Sequence, residues 1–80
     1  MKEREKYSKA LGKRIRALRE SKNISIKEFE SLENSIDRHA LSRIENGKVT
    51  PSIYTLYKIC QALKITQTEL LNGFESEFKR

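Results

Sequence analysis

Eighty residues with 17 Lys or Arg against 11 Asp or Glu fit one small basic domain. A chain this short buries only about 60–65% of its unfolded surface, and its apolar runs are too short for a membrane span or a secretory leader. One Cys and one His at unrelated positions exclude an intramolecular disulfide and a zinc shell, so no metal or cofactor is expected and a reduced, cytoplasmic setting is the simplest reading.

The charge is concentrated at one end. Residues 1–19 hold eight Lys/Arg and two Glu, which equals the whole net charge of +6, while residues 20–80 hold nine of each sign. Such a patch suits a polyanion, and it serves solubility equally well. Over about residues 6–21, Tyr7, Leu11, Ile15 and Leu18 recur at helical spacing with basic residues elsewhere. That pattern predicts an amphipathic helix with a cationic back. A membrane-surface role for it is weak, because a core needs the same apolar stripe.

After the break at "SKN", Ser25-Ile26-Lys27-Glu28 is a capping-box pattern, with Ile24 and Phe29 placed to form a hydrophobic staple. The second helix is predicted to run to about Leu32, with "ENS" as a turn. Asp37 caps a third helix over about 38–46, and Gly47 suits its left-handed C-terminal position. Ser52 caps a fourth helix whose stripe is Ile53, Leu56, Ile59, Cys60 and Leu63, which makes Cys60 a packing residue. Thr66-Gln67-Thr68-Glu69 opens a short fifth helix through Leu71. The organisation is a basic N-terminal extension at 1–9, an all-α bundle at 10–71 and a short tail at 72–80. Phe74 and Phe78, four residues apart, read as a packed tail, with an interface as the alternative.

The third helix sorts its residues by chemistry. On a wheel of roughly 100° per residue, Ala40, Leu41 and Ile44 share one side, and Arg38, His39, Ser42 and Arg43 the other. Arginines donate bidentate pairs to guanine in the major groove, while histidine and serine meet base edges or phosphates. A solvated polar face gives the same pattern, and this helix alone does not separate the two. A hydrolytic pair of His39 and Ser42 has no orienting carboxylate, so an enzyme is not expected. A capped helix, a turn and a second helix exposing polar groups is the helix-turn-helix arrangement.

Three segments, "LGKRIRALRESKNIS", "LSRIENGKVTPS" and "TLYKICQALKITQTELL", together resemble the Cro/phage-repressor (xenobiotic-response-element) helix-turn-helix family over roughly residues 10–71. The resemblance implies an all-α, five-helix, lambda-repressor-like DNA-binding domain with the motif at helices 2 and 3. It assigns base reading to Arg38, His39 and Arg43, beside which Ser42 lies on the same face. It assigns phosphate contacts to Asn46, Lys48 and Thr50, and to Ser25 and Lys27 at the start of helix 2. Arg19 and Glu45 match a buried structural ion pair. There are three departures. Ile26 stands where the family commonly has a Gln that touches the DNA backbone and braces the recognition helix. Glu30 replaces a small Ala where the two helices approach. The turn in "ESLENSID" is one residue longer, which moves Glu30 outward or rotates the recognition helix.

The function expected from all this is a transcriptional regulator, a homodimeric repressor reading a pseudo-palindromic operator on double-stranded DNA. Its half-sites would lie about 34 Å apart, and the DNA-bound protein would be associated with the bacterial nucleoid. With no room for an effector domain, regulation would rest on concentration, a partner protein or the operator. The alternative is a protein-interaction or antitoxin-like module using the same bundle with weak or lost DNA binding.

Overall fold

The structure, a computed structural model, describes residues 2–78. Its helices in chain order are α1 (Glu3–Ser21), α2 (Ile26–Glu30), α3 (Arg38–Glu45), α4 (Ile53–Leu63), α5 (Gln67–Leu71) and α6 (Phe74–Phe78), with no strand among the described residues. The first five are those the sequence predicts. The sixth occupies the segment read as a tail. Residues 1, 79 and 80 of the expected extension and tail lie outside the described residues.

The longest element, α1, buries Ser8, Leu11, Gly12, Ile15 and Arg19 along one stripe. At 1.5 Å per residue its 19 residues span about 28 Å. It begins at Glu3 rather than near residue 6, and Glu3 and Glu5 put acid in the first turn, where the helix dipole favours it. Asn23 ends it at φ +58°, while Asn23 N–H donates to the Glu20 carbonyl and Ile24 N–H to that of Arg19. This left-handed stop turns the chain into α2.

Ser25 and Glu28 close the capping box of α2 in both directions, each bond 3.0 Å long. This helix stops at Glu30, two residues earlier than the sequence suggests. Ser31 N–H donates to the Glu28 carbonyl and Leu32 N–H to that of Phe29, tightening the last turn. Two serine hydroxyls then compete with helical bonding: Ser31 donates to the Glu28 carbonyl and Ser35 to that of Glu30.

The core is Leu11 and Ile15 of α1, Phe29 of α2, Leu41 and Ile44 of α3, Leu56, Ile59, Cys60 and Leu63 of α4, and Leu70 of α5. Cys60 packs inside it, and burial pushes its thiol pKa up. Gly12 permits α1 and α3 to touch. A Cβ there would overlap the carbonyl oxygens of Ile44 and Glu45. Ile53 departs from its expected place in the stripe of α4. It is 82% exposed, because as the first residue of the helix it projects past the edge of the stripe, on the side of Tyr57.

The remaining helix, α6, is built on aromatics. Tyr7 meets the rings of Phe74 and Phe78 edge-on, each pair of centroids 5.2 Å apart. Both phenylalanines are therefore used within the chain. No helix among the described residues is long and apolar enough to cross a membrane.

Candidate nucleic-acid interface

The outward face of α3 is prepared from its inner one. Leu41, Ile44 and Glu45 are buried, and this fixes the roll of the helix on the core. Arg38, His39 and Arg43 then point to solvent, with Ser42 half-buried beside them. Arg43 borders a shallow depression with Thr50, Ser52 and Thr55, so the end of α3 and the start of α4 form one continuous surface.

Each end of α3 is held by carboxylates. At the N-terminus, one oxygen of Asp37 accepts from His39 N–H at 2.8 Å and Ala40 N–H at 3.1 Å. The bonds from Ala40 and His39 hold the Asp37 carboxyl below the usual carboxylate range. Glu30 reaches across from α2 and accepts from Arg38 N–H at 3.0 Å. Glu30 is exposed and serves as a cap for α3. At the C-terminus, Glu45 receives Arg19 Nε at 2.7 Å, Arg19 Nη2 at 3.0 Å and Arg16 Nε at 3.1 Å. The hydrogen bond to Glu45 raises the Arg19 pKa further above its ordinary value, against the opposing effect of burial.

Beyond α3 the chain turns at Gly47, φ +71°, with Lys48 N–H donating to the Arg43 carbonyl at 2.9 Å. A Cβ on Gly47 would run into Lys9 of α1, so the turn lies flat against the first helix. This brings the loop over α1, where Ser8 and Thr50 hydroxyls meet at 2.5 Å. Lys48 and Thr50 stand exposed on that loop. Asn46 is exposed but engaged: its Nδ2 donates to the Ser42 carbonyl at 2.9 Å, and its Oδ1 accepts from Arg16 Nη2 at 3.3 Å. Ser25 spends its hydroxyl on Glu28 N–H, which leaves the exposed Lys27 as the charged group at the start of α2.

A family model described as a helix-turn-helix domain matches residues 12–75. The chain belongs to the helix-turn-helix family. Two relatives are similar over most of their length. The control protein C.MunI of a Mycoplasma species is 36% identical over 66 residues, 82% of this chain and 89% of that protein. The HTH-type transcriptional regulator y4dJ of Sinorhizobium fredii is 32% identical over 63 residues, 79% of this chain and 80% of that protein. Among solved structures, the clp gene regulator ClgR of Corynebacterium glutamicum superposes with a TM-score of 0.78 at 24% identity, covering 90% of this chain and 91% of that one. That likeness is one of fold. The family is one of DNA-binding regulators rather than enzymes.

Within this helix-turn-helix frame, the motif helices are α2 and α3. Sequence reasoning places Arg19 and Glu45, but it misses Arg16, the second guanidinium on Glu45. A signal for it existed: Arg16 precedes Arg19 by three residues, hence by less than one turn, on the helix that packs against α3. Also missed is the outer side of α4, where Ile53, Tyr54 and Tyr57 are 82%, 68% and 47% exposed. Tyr54 and Tyr57 stack with centroids 6.2 Å apart. Their spacing of three was legible as a helical face, but not as an unpartnered one.

Proposed function

We propose that this protein is a sequence-specific transcriptional regulator, a dimeric repressor that inserts α3 into the major groove of an operator. The observation that carries this reading is the alignment of Arg38, His39 and Arg43 on the outward face of a helix whose roll is locked by Leu41, Ile44 and Glu45. Arg38 and Arg43 read bases, with guanine the natural partner, and His39 and Ser42 meet neighbouring edges. Lys48, Thr50 and Asn46 on one side of α3, and Ser25 and Lys27 on the other, grip phosphates. The y4dJ relative is named as a transcriptional regulator, and the shared family carries that role here as a proposal.

One recognition helix covers a few base pairs, so useful specificity calls for two copies with half-sites about 34 Å apart. The exposed side of α4 is the surface we assign to the second copy, since the solvent-facing side chains of Ile53, Tyr54 and Tyr57 favour burial. Phe74 and Phe78 are engaged with Tyr7 within the chain.

Selection of bound sequences from a random DNA pool tests the reading directly. Enrichment of an inverted repeat is the expected result. Absence of any enriched sequence, together with binding that does not weaken with salt, overturns it in favour of a protein-interaction or antitoxin-like module.

A further inference from the structure

We propose that Glu30 is a positioning residue that sets the aim of the recognition helix, and thereby which bases the protein prefers. The inference rests on the reading of α3 as the DNA-reading element.

The starting point is how little else joins the two motif helices by polar bonds. α2 is only five residues long, and residues 31–37 intervene before α3. Ile26 packs on the core and brings no amide to brace its neighbour. Among the described residues, the bond from Arg38 N–H to the Glu30 carboxylate is the one hydrogen bond between α2 and α3. Asp37 also caps α3, but it lies next to the helix in the chain and travels with it, so it cannot orient α3 against α2. Glu30 can, because its backbone belongs to α2, whose Phe29 is completely buried. Ser35 reinforces it by donating to the Glu30 carbonyl at 2.9 Å, which folds the intervening chain back over the same residue.

The opposite end of α3 is anchored by Glu45 on α1. With that end fixed, the N-terminal end is the free end of a lever. Eight residues make a helix about 12 Å long, so a swing of about 10° displaces Arg38 by about 2 Å. Bidentate hydrogen bonds to a base do not survive such a shift. Arg43, in the last turn before Glu45, moves far less. Loss of the Glu30 bond therefore blurs the bases under Arg38 and His39 and spares those under Arg43. Glu30 and Asp37 together also place two carboxylates on the end of α3 that meets DNA, which turns phosphates away and leaves that end to base edges.

The test compares wild type with E30A and E30Q by selection from a random DNA pool, followed by affinity for the selected site and for random duplex. E30Q keeps an oxygen for Arg38 N–H and loses the charge; E30A loses both. In E30A the ratio of selected-site to random affinity falls at least about fivefold, the lower end of what one bidentate base contact discriminates. The preference is lost at the positions next to Arg38. E30Q retains the wild-type sequence preference and binds all duplexes somewhat more tightly at low salt. A merely stabilising Glu30 would scale every affinity alike and leave the ratio unchanged. An E30A preference identical to wild type, or an E30Q preference degraded as far as that of E30A, overturns the assignment. A wild-type pool with no preferred sequence overturns both this role and the DNA-reading function beneath it.

Discussion

Arg19 and Glu45 meet inside the protein through two parallel donors, Nε to Oε2 at 2.7 Å and Nη2 to Oε1 at 3.0 Å. The side chains are 7% and 0% exposed. Arg19 has a third task, donating from Nη1 to the Ile24 carbonyl at 2.6 Å, so the same residue seals the end of α1. The two deletions are not equivalent. Arg19→Ala leaves Glu45 a neighbour in Arg16, whereas Glu45→Ala strands a buried guanidinium. Removing one partner of a buried pair costs about 3–5 kcal/mol. Chemical denaturation should place Arg19→Ala at the lower end of that range and Glu45→Ala at the upper. The reverse order would mean that Arg16 does not compensate.

Gly12 makes a sharper prediction about the same helix contact. In an open helix, Gly→Ala would add about 1 kcal/mol of stability. Here the new methyl collides with the backbone carbonyls of Ile44 and Glu45, and forcing α1 from α3 costs about 1–3 kcal/mol. Gly12→Ala should therefore lower the urea midpoint. A raised midpoint would show that the two helices are further apart than described.

The cap at Asp37 gives a pH dependence with a definite sign. The Ala40 and His39 amides depress its carboxyl pKa in the folded chain. Its contribution is thus complete above the unfolded value of about 3.9, and it disappears as pH falls through the lower folded value. Glu28, held low by Ser25, acts in the same direction. Asp37→Asn keeps a capping oxygen but cannot titrate. Its urea midpoint should fall less steeply than that of wild type below about pH 4. Parallel curves for the two proteins would exclude the cap as a source of acid sensitivity.

Arg38, Arg43 and Lys48 should separate by the kind of loss each causes. Arg38→Ala and Arg43→Ala should each cost about 1–3 kcal/mol at a selected site and relax preference for the base each one touches. Lys48→Ala should weaken every duplex alike and reduce the log–log salt slope by about 0.9. Equal losses on all sequences from the arginine variants would make them phosphate clamps instead.

The outer side of α4 predicts an assembly phenotype. Ile53→Glu, on the most exposed large apolar side chain among the described residues, should leave the fold intact. Sedimentation should show a dimer in wild type and a monomer in this variant. Affinity for an inverted repeat should then fall to that for a single half-site. An Ile53→Glu protein that stays dimeric would place the second copy elsewhere.

Much of this architecture is legible in the sequence because its helix ends are written in side-chain chemistry. Ser25, Asp37, Ser52 and Thr66 each accept from an amide in the first turn of the helix that follows. Gly47 is left-handed at the end of α3. What escapes is decided by long-range partners. Phe74 and Phe78 have the spacing of a helix and of an interface alike, and only Tyr7, at the far end of the chain, separates the two. Ile53 falls within reach of the α4 stripe on a wheel, but the core reaches that helix only from Leu56 onward. Glu30, a departure from the family pattern, escapes for the same reason: the Arg38 amide that donates to its carboxylate is eight residues away.

The clasp between Tyr7 and α6 also bears on the order in which the molecule is made. Tyr7 and Phe78 are 71 residues apart in the chain, yet their rings touch. At about 5–20 residues per second, a ribosome takes roughly 4–14 s to travel from one to the other. Through that interval the opening turns of α1 emerge without their aromatic cover, while Leu11 and Ile15 can already meet Phe29 and Leu41. The contacts among α1, α2 and α3 are thus able to gather before the first helix is fastened along its whole length, and Phe78 completes an element that was made well before it.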